Sequence, residues 1–182
     1  MQNKKVRVMA YMALFIALSY IGTLFNITFY LGPAKTMVHL GNVFALLGGL
    51  VLGGVNGGIA ASIGMGLFDL TNGWIPYAPS TFILKFFIAF ITAFTFKRLK
   101  VKNFTLKVVL ANASGMLFNF IAAPIASYFT TRYILKAGAE ASMIFAKYES
   151  IPVLLNAVIA TVVASILYLL LKPVIKNINL FK

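Results

Sequence analysis

The chain has 182 residues, of which 61% are hydrophobic and only 10% are charged. Soluble domains carry roughly 25% charged residues, so this composition excludes an ordinary soluble domain and indicates a membrane protein. There are 16 Lys and Arg residues against three acids and one histidine, and there is no cysteine. Disulfides, thiol catalysis and cysteine-ligated metals are therefore excluded, and we expect no metal and no cofactor.

Polar residues divide the chain into six apolar stretches, and a membrane-spanning helix needs roughly 20 apolar residues. We predict an all-α bundle of six transmembrane helices in a single membrane domain, residues 1–182. The predicted spans are about 6–25, 36–52, 55–68, 81–96, 105–130 and 151–171. The basic N-terminus before span 1 resembles a signal peptide, but a retained first helix is favoured because further spans follow and no convincing cleavage site is evident.

Spans 2 and 3 come from one apolar stretch, residues 37–68, that is too long for a single span. Gly53, Gly54, Gly57 and Gly58 interrupt it, so we predict two short helices joined by a tight turn, with one long kinked helix as the alternative. Small residues recur at every fourth position here, a spacing that lets helices approach closely in lipid. Residues 26–35 and 69–80 are predicted to be loops.

Spans 4 and 5 are separated by a linker with five Lys and Arg residues, and Pro124 can kink span 5. Residues 132–150 are predicted to form a mixed-charge segment with a short interfacial helix. With six spans both termini lie on one side, which carries eleven Lys and Arg residues against four on the other. The positive-inside rule therefore predicts cytoplasmic termini, and the basic residues suit anionic lipid headgroups better than nucleic acid.

The outer ends of spans 1–4 collect polar and aromatic residues. Trp and Tyr at this depth usually form an interfacial belt, but beside Asn and Asp they also suit a small planar ligand. Lys85 lies within span 4 at a cost of about 2.5–3.5 kcal/mol if central, so it either snorkels outward or points into a polar cavity. The candidate substrate-binding residues are Tyr30, Lys35, His39, Asp69, Asn72, Trp74, Tyr77, Lys85 and Asn156.

Several absences limit the function. No G-x-x-x-x-G-K-[ST] motif occurs, so the chain does not hydrolyse nucleotides through a P-loop. No acid lies in mid-span, so the usual proton relay of a transporter lacks its carrier, and transport would need energy from another subunit. The alternatives are a membrane-embedded lipid or isoprenoid enzyme, which the scarcity of acids disfavours, and a structural membrane subunit, which leaves Lys85 unexplained.

Several features together carry a family resemblance. The basic N-terminus leads into a helix with an Ala-x-x-x-Ala face formed by Ala13 and Ala17. The stretch KTMVHLGNVFALLGGLVLGGVNGGIAASIGMGLFDL, residues 35–70, is followed by a Pro-rich loop and later by a sixth span. This pattern resembles the substrate-binding S components of energy-coupling factor (ECF) vitamin transporters, in the riboflavin-, hydroxymethylpyrimidine- and pyridoxine-type subgroup.

The resemblance implies a multi-pass subunit of a bacterial or archaeal ABC importer without its own ATPase site. It implies a small water-soluble vitamin bound near the outer face, under the loop that joins helices 1 and 2. Hydroxymethylpyrimidine or a B6 vitamer is the first expected ligand, and riboflavin is the next. The implied partners are a transmembrane coupling protein (T component), which Ala13 and Ala17 would contact, and two cytoplasmic ATPase subunits.

Overall fold

The computed structural model describes the backbone of residues 4–178 and the side chains of residues 4–174. Within that range the chain forms six α-helices and one β-hairpin. The helices are α1 (Lys4–Leu24), α2 (Gly41–Leu52), α3 (Gly54–Thr71), α4 (Ala78–Arg98), α5 (Phe104–Phe129) and α6 (Ala139–Ile178). The strands are β1 (Asn26–Leu31) and β2 (Ala34–His39). A 3-10 turn, Ile75–Tyr77, precedes α4, and a π-helical turn, Thr130–Ile134, follows α5.

Four segments of the described chain are long and apolar enough to cross a membrane: Lys4–Leu24, Ile75–Arg98, Phe104–Ile134 and Ala139–Val174. The other two helices, α2 and α3, which were predicted to be short, are not among these four segments. With 12 residues, α2 is only about 18 Å long at 1.5 Å per residue, against a hydrocarbon core of about 30 Å. It lies instead at the centre of the bundle, where it is almost wholly buried and contacts α1, α3, α4 and α6.

A tight turn joins α2 to α3, as the glycines predicted. Gly53 has a φ of 80°, a left-handed conformation that glycine adopts without strain. The chain then folds back, because the backbones of Gly48 and Gly57 are in contact, which nine residues of one continuous helix could not achieve. The alternative of one long kinked helix is therefore wrong.

The small-residue spacing serves packing within the protein. A side chain on Gly49 would collide with the backbone of Ala89 in α4, and one on Gly64 would collide with Ile16 in α1. Glycine at these positions therefore allows α2 and α3 to lie directly against neighbouring helix backbones. In lipid, such contacts stabilise helix association through van der Waals packing.

A β-hairpin replaces the predicted loop at residues 26–35. β1 and β2 pair antiparallel, with Asn26 opposite His39 and Leu31 opposite Ala34. The connection is the two-residue turn Gly32–Pro33, and Gly32 has a φ of 57°, as hairpin turns with glycine at the first position require. Because residues 36–39 belong to β2, the second helix begins at Gly41 instead of residue 36.

Two further boundaries differ from the prediction. Residues 69–71 continue α3 instead of opening a loop. The separate interfacial helix predicted within residues 132–150 is also wrong, because residues 139–150 form the first three turns of α6, which continues through Pro152. Because α6 is continuous, the turns before Pro152 extend the helical face that packs into the bundle.

Candidate binding cavity

The hairpin covers a polar cavity at one end of the bundle, which we call the cavity end. The cavity is lined by β2 and by residues of α1 to α6 and the 3-10 turn. Its volume is about 100 Å³, several times the roughly 10–15 Å³ that one water molecule requires. The space is therefore large enough for a group of waters or one small ligand.

Seven of the nine predicted substrate-binding residues line this cavity. They come from four separate parts of the chain that the fold brings together: β2, the end of α3 with the 3-10 turn, the middle of α4, and α6. The seven are Lys35, His39, Asp69, Trp74, Tyr77, Lys85 and Asn156.

Lys85 points into the cavity and does not snorkel towards the helix end. It is 9% exposed, and its Nζ donates a hydrogen bond of 3.0 Å to Oδ1 of Asn42, which is itself buried in α2. Asp69 and Glu149 also interact electrostatically with this ammonium group. An intramembrane lysine held among polar groups in this way is a functional-site candidate by default.

The acids are concentrated in the same place. The chain has three acidic residues, and two of them, Asp69 and Glu149, line the cavity. The Thr81 hydroxyl lies beside the Asp69 carboxyl, and the Ser127 hydroxyl lies beside that of Glu149. Two acids therefore line one cavity together with two lysines, Lys35 and Lys85, in a chain that has only three acids.

An aromatic wall closes the cavity on the side of the 3-10 turn. Trp74 and Tyr77 pack edge to face, with ring centroids 5.9 Å apart. The Nζ of Lys35, from β2, lies 4.5 Å from the Trp74 ring centroid. This cation–π contact connects the hairpin to the aromatic wall.

Asn156 holds the hairpin against α6. Its Oδ1 accepts a hydrogen bond from the His39 backbone N–H, and its Nδ2 donates one to the Met37 carbonyl, each at 2.9 Å. The side-chain amide thus makes the kind of hydrogen bonds with β2 that the backbone of a neighbouring strand would make. Tyr148, two turns earlier in α6, packs against Gly32 at the hairpin turn.

His39, the last residue of β2, is buried in its neutral form. Burial, with a smaller contribution from the positive charge of Lys85, lowers the pKa of His39 to about 3. Its Nδ1 accepts the backbone N–H of Gly41 at 3.1 Å, so that nitrogen carries no proton and any proton of the neutral ring is on Nε2. The imidazole is therefore a structural acceptor at the start of α2.

One amide in the cavity has an open hydrogen-bonding position. Four buried side-chain polar atoms have no hydrogen-bond partner among the described residues, and only Oδ1 of Asn119 belongs to a cavity-lining residue. Asn119 is 2% exposed. A buried acceptor of this kind usually has a partner, which a ligand N–H or O–H would supply.

Two predicted residues lie outside the cavity lining. Tyr30 is 73% exposed on β1. Asn72 follows the end of α3, where its Nδ2 donates to the Phe68 carbonyl, so it terminates the helix. The structure places neither side chain in the cavity.

Several lining residues were missed from the sequence. They lie at helical spacings of three or four from one another or from a predicted residue. On α6, Glu149 and Val153 lead to the predicted Asn156, and on α5, Asn119, Ala123 and Ser127 follow one another. That spacing could have identified them once each helix was extended to its true end. Among the described residues, no group of three or more His, Asp or Glu side chains could hold a metal.

The predicted docking residues are not part of the cavity lining. Ala13 and Ala17 are both exposed on α1, so no other part of the described chain covers them. Their small side chains leave this part of the helix surface flat.

One comparison with known proteins bears on the whole of this architecture. Residues 3–173, nearly the entire chain, match the family model described as ECF-type riboflavin transporter, S component. No match was found among curated proteins or solved structures. Membrane-spanning helices around a covered polar cavity suit a subunit that captures a solute and performs no catalysis. The chain belongs to the S-component family of ECF-type riboflavin transporters.

Proposed function

We propose that this protein captures a small water-soluble vitamin in the cavity beneath the hairpin and delivers it inward with an ECF module. The family supplies the general role: a substrate-binding subunit that works with a T component and ATPases. The observation that carries the location is the concentration of polar chemistry. Lys85 and two of the three acids of the chain face one small space.

Riboflavin is the ligand that the family description favours. The aromatic wall of Trp74 and Tyr77 suits a flat ring system. The open Oδ1 of Asn119 is an acceptor for a ring N–H, and flavin carries one on its pyrimidine edge. On this basis we rank riboflavin ahead of hydroxymethylpyrimidine and the B6 vitamers.

The smaller ligands are the second candidates because of the cavity volume. About 100 Å³ is below the roughly 300–1,000 Å³ typical of sites that enclose a drug-sized ligand. A single heteroaromatic ring needs less space than a flavin. Riboflavin would require the hairpin to move or its side chain to remain near the mouth.

A titration distinguishes these ligands. Trp74 is the only tryptophan of the chain and lies in the cavity wall, so its fluorescence reports occupancy directly. We expect riboflavin to quench it at one ligand per chain, and to bind at least tenfold more tightly than hydroxymethylpyrimidine or pyridoxine. Tighter binding of either small ring would reverse the order. No binding by any of the three would contradict the proposed site.

The orientation and the docking surface belong to the same proposal. The end of the bundle opposite the hairpin, which we call the basic end, carries the N-terminal cations and the α4–α5 linker, so we place it in the cytoplasm. Ala13 and Ala17 then offer a flat face on α1 to the T component. We expect Ala13→Trp with Ala17→Trp to abolish co-purification with the module while ligand binding persists. Leu117→Trp, on the exposed surface of α5, is the matched control.

A further inference from the structure

An apolar groove lies at the basic end of the bundle, opposite the vitamin cavity. It opens between the last turn of α2, the first turn of α3 and the last turns of α4, with a volume of about 430 Å³. Leu50, Phe90 and Phe94 are among its apolar lining residues. Gly53 and Gly54 contribute only backbone there, so the groove exists because those positions have no side chains.

Hydrocarbon is the natural occupant of the groove itself. Phe94 and Val55 line it and are each about half exposed, at 51% and 55%, so the surface faces the lipid phase. An unfilled groove loses the dispersion contacts that its walls would otherwise make. One acyl chain laid along α4 would restore them.

The rim of the groove is positively charged. Lys97 lines it, and the guanidinium of Arg98 lies 5.0 Å from the Phe94 ring centroid, which keeps that cation beside the groove. No acid occurs in the sequence between Asp69 and Glu140, so the α4–α5 segment contains no carboxylate to neutralise them. This charge is complementary to a phosphate group.

The first turn of α3 adds to the positive electrostatic potential at the rim of the groove. The first N–H groups of a helix have no intrahelical partner and carry the positive end of its dipole. Gly53 is the N-cap of α3 and gives no side-chain hydrogen bond. Gly54 and Val55, the first residues of α3, both line the groove. A phosphate is the kind of group that binds at such an end.

We propose that this groove binds one anionic phospholipid. Its acyl chain lies along Phe90 and Phe94, and its phosphate lies between Lys97, Arg98 and the first turn of α3. This site is separate from the vitamin cavity. It makes the basic end a surface that recognises the headgroup of a lipid as well as its hydrocarbon.

Native mass spectrometry of the detergent-purified chain tests the proposal, with phosphatidylglycerol and phosphatidylcholine of identical acyl chains as probes. We expect one phosphatidylglycerol to bind with an apparent affinity at least about fivefold higher than phosphatidylcholine, the ratio expected for a single cation at a membrane surface. Lys97→Gln with Arg98→Gln should reduce this preference to below about twofold. Lys100→Gln with Lys102→Gln removes the same charge from exposed positions that do not line the groove, and should preserve it.

A second variant tests the apolar part. Ala93→Phe fills the groove without changing charge, and should weaken binding of both lipids alike. Riboflavin binding and the melting temperature serve as folding controls, and Val55→Trp at the rim replaces Ala93→Phe if that variant is less stable. The proposal is overturned if phosphatidylglycerol shows no preference, if both double variants lose it equally, or if filling the groove changes nothing.

Discussion

The cavity end and the basic end of this bundle differ in where their polar and charged side chains lie. At the cavity end, Lys85, Asn42 and Asn156 are buried, and they are hydrogen-bonded to one another or to the hairpin. At the basic end, glycines bring helix backbones together, and cations stand at the edge of an apolar surface. The contrast teaches that buried polar chemistry is concentrated at the cavity end, while the basic end presents an apolar groove with cations at its rim.

Of the changes considered, substitution of the buried Lys85 should have the largest effect, and it acts on the cavity end alone. Lys85→Ala leaves Oδ1 of Asn42 without its donor and leaves Asp69 and Glu149 without a nearby cation. We expect the Lys85 ammonium to donate a hydrogen bond to the bound ligand as well. Since a hydrogen bond to a charged group contributes about 1.5–3 kcal/mol, its loss should lower ligand affinity by about 10- to 100-fold. Isothermal titration measures the change.

Lys147→Ala is the control for that experiment, because Lys147 is an exposed lysine on α6 outside the cavity lining. It should bind ligand as the wild type does. An unchanged affinity in Lys85→Ala would remove this lysine from the site.

Adding one methyl group between α2 and α4 should destabilise the bundle without any polar change. A Cβ on Gly49 would meet the backbone of Ala89, which cannot move aside as a side-chain end can. Overpacking of this kind costs about 1–3 kcal/mol, and thermal unfolding in detergent should show a lower melting temperature for Gly49→Ala. Gly138→Ala has nothing within 4 Å of the added atom and should be nearly neutral. Equal melting temperatures for both variants would contradict close helix contact as the role of Gly49.

Loosening the hairpin should affect ligand release more than fold stability. Asn156→Ala removes both hydrogen bonds to β2, and we expect the ligand dissociation rate to rise by about tenfold, as about 1.4 kcal/mol would produce. Stopped-flow fluorescence of Trp74 measures that rate. Asn156→Asp keeps the acceptor for the His39 N–H but loses the donor to Met37, so its rate should be intermediate. A rate equal to the wild type in both variants would show that Asn156 does not hold the hairpin closed.

The stability of the fold should also depend on pH. Between about pH 6.5 and pH 3 the unfolded chain protonates His39 while the folded chain does not, since its folded pKa is about 3. Stability should therefore fall as the pH drops below about 6.5, by at most about 1.4 kcal/mol per pH unit. His39→Asn retains an acceptor for the Gly41 N–H and removes the titration, so the difference in melting temperature between wild type and variant should diminish at pH 5. Parallel pH curves would refute the assignment.

Apolar length and glycine positions predicted the helices because those features set what can cross or pack in lipid. The turn at Gly53 and the extent of α1 follow from such local signals. The hairpin was missed although Asn26–Leu31 alternates and Gly32–Pro33 is a two-residue turn. Its second strand is held partly by Asn156, which is far away in the sequence, and no local pattern reveals that contact.

The cavity was predictable in outline because charge is rare in this chain, and Lys85 and Asp69 were conspicuous. Glu149 was assigned to a separate segment before span 6. Its position on the same helical face as Asn156 was therefore not recognised. Whether a polar side chain near the end of a helix or strand reaches the cavity also depends on how the helices and the hairpin pack together. For this reason Tyr30 and Asn72 resemble the cavity residues in the sequence but lie outside the lining.

The central claim is that the cavity end holds one vitamin per chain. Mass spectrometry of small molecules released by denaturing the purified protein, after incubation with riboflavin, hydroxymethylpyrimidine and pyridoxine together and removal of free ligand, tests it most directly. The account predicts one equivalent of riboflavin from the wild type and from Lys147→Ala, and a strongly reduced amount from Lys85→Ala. No retained vitamin in the wild type, or equal retention in Lys85→Ala, would contradict it.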